Sequence, residues 1–193
     1  MPPLPLLSAA IMGGYLAAFL YLTARSRQAA GKSVWLFSLG TRQWLPALLF
    51  RAAFAGGLLY PALLTMGLEP VREIVDLPRP LRSAGLLLAL AGGLFGIYAQ
   101  HYMGASWRIG SAEGHSGAIV DTGPFRLSRN PVFVGQAAMF TGFLLARPDS
   151  VQLALAAAVL IAAWLQVRIE ETVLERDLGA AYRTYRQQVP RWL

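Results

Sequence analysis

Cysteine is absent from this 193-residue chain, and histidine occurs only at His101 and His115. The first absence removes disulfides, thiolate metal sites and thiol nucleophiles. The second argues against a zinc site: the two histidines lack metal-ligand spacing, and a site would need carboxylates that the sequence does not assign. Charge is scarce too, with Asp, Glu, Lys and Arg at 14% of the residues against about 25% in soluble domains. Apart from Arg51, no charged residue falls in the runs 4–23, 44–66, 83–103, 131–146 and 151–167. A soluble protein with large core helices would need polar faces that these runs lack.

What is present in quantity is apolar surface, 55% of the chain. A membrane span takes about 20 apolar residues, with about 17 as a lower limit. The first three runs meet this easily. The last two are short, and Arg147-Pro-Asp149 is almost the only break between them, so they read as a helical hairpin. The expected fold is an all-α integral membrane protein of about five transmembrane helices, ending in a cytoplasmic interfacial helix. Two regions divide it: three spans over 1–103, and a loop, hairpin and tail helix over 104–193. Met1-Pro-Pro-Leu4 offers no basic leader, and Arg25 and Arg27 follow the first apolar run, so this run reads as a retained anchor.

Charge sets the orientation. With five spans, one side collects Arg25, Arg27, Lys32, Arg42, Arg108, Arg126, Arg129 and the five arginines from Arg168 to Arg191, 12 of the 17 basic residues. The positive-inside rule then puts the N-terminus outside and the C-terminus in the cytoplasm, as expected of a multi-pass protein in a bacterial inner membrane. The net charge of +7 follows this distribution, without the aromatic-interleaved basic stripe of a nucleic-acid binder. Anionic lipid headgroups are the expected partner of these charges, and nucleic acid is not.

Small residues within the runs read as helix contacts. Gly92 and Gly96 form a GxxxG, and Gly56-Gly57 interrupts the second run. Ala91-Gly-Gly-Leu-Phe-Gly96 is no dinucleotide loop, because that fingerprint needs a strand before it and a helix after. Pro61 is expected to kink its helix. Arg51 lies seven residues past Trp44; it either snorkels to the interface or lines a polar cavity.

Chemistry concentrates in two blocks. The loop 104–130 carries Gly104, Gly110, Gly114, Gly117 and Gly123, and leads into Gly123-Pro-Phe-Arg-Leu-Ser-Arg-Asn-Pro-Val-Phe-Val-Gly135. Irregular backbone at a membrane surface persists only where water, protein or ligand satisfies it. Pro131 is suited to open the fourth helix, whose N-terminus can hold an anion. The second block is Arg168-Ile-Glu-Glu171, followed by Leu174, Gly179, Tyr182, Tyr185 and Val189-Pro-Arg191. The 17-residue run 151–167 precedes Arg168 without a charge, so Arg168, Glu170 and Glu171 stand at membrane level, where ionised groups are costly without a task. Neighbours on a helix differ by about 100°, so Glu170 and Glu171 cannot both point inward.

The two blocks together resemble membrane-embedded methyltransferases related to isoprenylcysteine carboxyl methyltransferase and phospholipid N-methyltransferases. The resemblance covers about residues 104–193. It implies S-adenosyl-L-methionine as cofactor and a lipophilic acceptor: an isoprenylcysteine-like carboxylate, a phospholipid amine or another small lipophilic molecule. The cofactor residues it implies are Ala118, Ile119, Val120, Gly123, Phe125, Arg129, Asn130, Pro131, Phe133, Glu170 and Glu171. Arg168, Glu170 and Glu171 are implied as the catalytic set, with Arg168 orienting the acceptor. This chain has Asn130 where the family often has histidine, and Phe125 and Phe133 where it often has tyrosine; His115 is out of register by two with a family histidine. The general C-terminal pattern also resembles NADPH-dependent membrane sterol reductases. A non-enzymatic membrane protein with a decayed site is a further alternative.

Overall fold

A computed structural model describes residues 4–31, 34, 36, 43–114, 116 and 118–193; Lys32, Arg42, His115 and Gly117 lie outside the described residues. The helices are α1 (Leu4–Ala30), α2 (Trp44–Thr65), α3 (Arg79–Met103), α4 (Pro131–Ala146), α5 (Ser150–Leu178) and α6 (Ala180–Gln188). Short 3-10 turns at Gly104–Ser106 and Gly123–Arg126 interrupt the chain between α3 and α4. Helices α1, α2, α3 and α5 are long and apolar enough to cross a membrane. The fifth apolar helix, α4, has 16 residues, about 24 Å at 1.5 Å per residue, short of a bilayer core of about 30 Å.

Local chemistry explains the helix ends. Pro131 opens α4 at its first turn, where a missing N–H leaves nothing unsatisfied. Asp149 caps α5 by accepting a hydrogen bond from the Gln152 N–H at 2.9 Å. Gly179, at φ +54°, ends α5 and turns the chain into α6, a conformation that side-chain-bearing residues resist. The last apolar run continues through Arg168 to Leu178 as one 29-residue helix. Pro61 sits inside α2, which carries on to Thr65.

Packing closes the helices into a ring: α1 lies against α2 and α3, α2 against α5, and α4 against both α3 and α5. The tightest seam is α3–α4, and glycine makes it. A Cβ on Gly92 would stand 2.6 Å from the Gly135 carbonyl oxygen, and one on Gly135 2.6 Å from the Gly92 oxygen. The GxxxG residues Gly92 and Gly96 thus face Gly135 backbone to backbone. In lipid, where apolar surface gains little from leaving the solvent, such close approach supplies dispersion contacts instead. The core between the helices is aromatic and aliphatic, with Met12, Tyr15, Phe50, Phe140, Phe143 and Val159 buried.

At one end of the ring, the α2–α3 and α4–α5 connections share a charged knot. Arg147 contacts Asp149 at 2.9 Å, Tyr60 donates to the same carboxylate, and Arg82 pairs with Glu73. The loop 104–130 and the C-terminus gather at the other end.

Candidate functional site

Three anchors hold the loop 104–122 over that second end. Ile109 exchanges backbone bonds with the α1–α2 connection, its N–H donating to the Val34 carbonyl at 2.8 Å and its own carbonyl accepting from the Leu36 N–H at 2.7 Å. Gln43, at the start of α2, grips Ser111 from both sides: its Oε1 accepts the Ser111 N–H at 2.7 Å, and its Nε2 donates to the Ser111 carbonyl. Asp177, near the end of α5, accepts from the Gly114 and Ser116 N–H groups at 3.0–3.3 Å. At these anchors the loop's backbone groups are satisfied by protein, as irregular chain at a membrane surface requires.

Beneath this roof lies a cavity of about 320 Å³, within the common range of small-molecule sites. Three helices each contribute a stripe to it: Tyr15, Leu16, Phe19 and Leu20 from α1; Ala47, Phe50, Arg51 and Phe54 from α2; Gln166, Glu170, Leu174 and Leu178 from α5. The start of α4 adds Pro131, Phe133 and Gln136, and α6 adds Tyr182 and Tyr185. The walls are mostly apolar, with the polar groups concentrated at a few points.

Glu170 is the one carboxylate among the described lining residues. Gln166 donates to it at 3.0 Å and to Gln43 Oε1 at 3.2 Å, so the carboxylate belongs to the same chain of amides that grips the loop. Glu171 points elsewhere, as helix geometry requires. It pairs with Arg129 at 3.1 Å and takes two hydrogen bonds from Arg191, at 3.0 and 2.7 Å. This bidentate fork draws Arg191 upward in pKa.

The C-terminal residues complete the clamp. The Arg129 N–H donates to the Pro190 carbonyl at 2.9 Å, while Ser128 Oγ and Asn130 Nδ2 both donate to the Arg191 carbonyl. Trp192 packs against the helical core. The Arg-Asn-Pro turn is thus set by a strap 60 residues downstream in sequence. Arg129 also donates to the Tyr182 hydroxyl at 3.3 Å. Burial pushes the Tyr182 hydroxyl up to about 12 and raises that of Tyr185 as well, so both stay neutral. Tyr185 donates to the Phe125 carbonyl at 2.8 Å. The aromatic face of α6 is covered by Ile119, Leu174 and Leu178.

Three buried polar atoms on the cavity wall have no partner: Arg129 Nε, Gln136 Oε1 and Gln166 Oε1. Buried polar groups are rarely left so, and all three atoms belong to residues that line this one cavity.

Of the residues singled out from sequence, Ala118, Ile119, Val120, Phe125, Arg129, Asn130, Pro131, Phe133 and Glu170 line this cavity. Gly123 does not; its φ of +55° turns the chain, and a Cβ there would strike the Tyr102 ring at 2.5 Å. Arg168 also lies away from it, its guanidinium 3.8 Å above the Trp164 ring on a separate polar cleft that Glu171 shares. Asn130 spends its amide on the C-terminal strap. Phe133 stacks on Phe50, with ring centroids 5.5 Å apart. The sequence reading missed Gln43, Gln136, Gln166 and Asp177. Glutamine at 136 and 166, uncharged but polar inside apolar runs, was the available signal; Gln43 and Asp177 carry none before the loop is placed.

Residues 81–181, just over half of the chain, match the family model described as phospholipid methyltransferase. No curated protein and no solved structure matches.

Proposed function

The chain belongs to the phospholipid methyltransferase family, and from that membership we propose that it moves a methyl group from S-adenosyl-L-methionine to a lipophilic acceptor in the membrane. The observation that carries the reading is the composition of the cavity wall. A single carboxylate, an arginine with an unpartnered Nε and two unpartnered amide oxygens sit among aromatic rings.

That donor set suits a zwitterionic sulfonium with an aromatic base attached. Glu170 balances the cationic part, and Arg129 Nε offers a hydrogen bond to its carboxylate. The amide oxygens of Gln136 and Gln166 accept from its N–H or O–H groups. Phe133 and the apolar stretch Ala118–Val120 give an aromatic ring a dry surface. When bound, S-adenosyl-L-methionine supplies an electrophilic methyl group for in-line displacement. The chain's residues need only align that group, exclude water and orient the acceptor. The roof pinned by Gln43 and Asp177 covers this end of the cavity. Glu171 acts at one remove: by holding Arg129 and Arg191 together, it fixes where Arg129 stands. Gly123 acts through the turn it makes.

Calorimetry on detergent-purified protein tests the reading. S-adenosylhomocysteine is expected to bind saturably in the micromolar range, roughly −7 to −8 kcal/mol, and extracted lipids to accept label from methyl-labelled cofactor. Absence of heat at millimolar ligand sinks the proposal. Binding of NADPH in its place moves the chain to a reductase reading.

A further inference from the structure

The cavity is not closed on all sides. Leu20 of α1 lines it yet is 52% exposed, and Arg51 of α2 lines it while also exposed. Both helices are candidate membrane spans, so the exposed sides of these two lining residues face the membrane. On α2, Ala47, Phe50, Arg51 and Phe54 occur at the i, i+3, i+4, i+7 spacing of one helical face. Arg51 is therefore part of the cavity stripe.

Arg51 differs from the other lining arginines. Arg108 donates to the carbonyls of Ala105 and Trp107, and Arg129 is held by Glu171 and Tyr182. Arg51 has no hydrogen-bond or ion-pair partner among the described residues. A guanidinium on a membrane helix costs energy even near its end. Seven residues past Trp44 it stands about 10 Å along the helix, within reach of the headgroup level. Snorkelling makes the charge tolerable, but it does not account for a position on the cavity stripe.

We propose that Arg51 is the anion anchor of a lipid-side mouth between α1 and α2, through which an amphiphile carrying an anionic group enters the cavity. Calling this occupant the methyl acceptor rests on the reading above. The guanidinium takes a phosphate or carboxylate bidentately. Leu16, Leu20, Phe50 and Phe54 cover the hydrocarbon part. Glu170, on the α5 wall of the same cavity, disfavours an anion beside it and so leaves the charged end with Arg51. The methyl-accepting atom then lies inward of the anionic group, not on it.

The test uses full-length protein in neutral detergent, as wild type, Arg51→Gln and Arg51→Lys. Three probes are titrated: dioctanoyl phosphatidic acid, dodecanoate and uncharged dioctanoylglycerol. S-adenosylhomocysteine is titrated into the same preparations. Wild type is expected to favour an anionic probe over dioctanoylglycerol by about tenfold or more. Arg51→Gln is expected to erase that preference and Arg51→Lys to keep part of it, with S-adenosylhomocysteine affinity unchanged in all three. Which anionic probe loses more affinity identifies phosphate or carboxylate as the anchored group. A preference that survives in Arg51→Gln, or a wild type indifferent to charge, overturns the proposal. Should Arg51→Gln fail to fold, Arg51→Lys decides, since an unaltered anionic preference in it excludes bidentate anchoring. Failure of S-adenosylhomocysteine to bind wild type sinks the methyl-transfer reading alone, because the charge preference is read without it.

Discussion

Adjacent glutamates in this chain have different surroundings, and their substitution separates ligand binding from stability. Glu170 reaches the cavity with Gln166 as its hydrogen-bond partner, whereas Glu171 is enclosed by Arg129 and Arg191 with its side chain 11% exposed. Glu170→Gln is expected to weaken S-adenosylhomocysteine binding by about 1.5–3 kcal/mol, the worth of a hydrogen bond to a charged group, with the melting temperature nearly unchanged. Glu171→Gln leaves the buried Arg129 without its counter-charge, and breaking a buried pair costs about 3–5 kcal/mol; the more exposed Arg191 adds little. The loss in this variant should appear first as a lowered melting temperature. Calorimetry and thermal denaturation on both variants check the pair; equal effects of the two on both readouts contradict it. Arg168→Ala removes a contact with Trp164 outside the cavity, so S-adenosylhomocysteine affinity should stay within about twofold, an exposed cation–π contact being worth about 0.5–1 kcal/mol to stability.

Among the elements, the α3–α4 seam and the C-terminal strap decide the shape of the site. The seam holds the start of α4, and with it Pro131, Phe133 and Gln136, against α3. Gly135→Ala drives a methyl group into the backbone of Gly92 and Gly96. Overpacking costs about 1–3 kcal/mol, and the displaced α4 should also weaken cofactor binding; a normal melting temperature for this variant would mean that the helices can slide apart freely. Removing residues 189–193 takes away the carbonyls that receive Arg129, Ser128 and Asn130, the Arg191 fork and the Trp192 contact. The truncated protein is expected to lose S-adenosylhomocysteine binding in calorimetry. Retention of wild-type affinity would show that the Arg-Asn-Pro turn holds its shape unaided.

Over the whole molecule, the cavity, its roof and the strap share one end of the bundle, and the Arg82–Glu73 and Arg147–Asp149 knot holds the other. In sequence, 12 of the 17 basic residues fall in the segments expected on one side of the membrane, and the positive-inside rule predicts a cytoplasmic cavity end. Reporter fusions after residues 30, 75 and 193 should read cytoplasmic, exterior and cytoplasmic. A C-terminus found outside would reverse the orientation and place the cavity on the exterior face.

The sequence by itself determined the helical membrane architecture, because long uncharged runs admit few other solutions in a bilayer. It also marked Gly92 and Gly96 as helix contacts and the helix ends at Pro131 and Gly179, since glycine and proline act through their own backbones; that Gly135 of α4 is their partner came from the structure. The two motif blocks likewise pointed to the region where the cavity lies. Tertiary structure alone decided which glutamate faces the cavity, for a 100° step is visible in sequence but its starting angle is not. Tertiary structure also turned Arg168 outward, gave Asn130 to the C-terminal strap, joined Gln43 to Gln166 and brought Gln166 and Arg51 to one cavity. Those assignments depend on contacts between segments as much as 123 residues apart, and no local pattern encodes a partner at that distance.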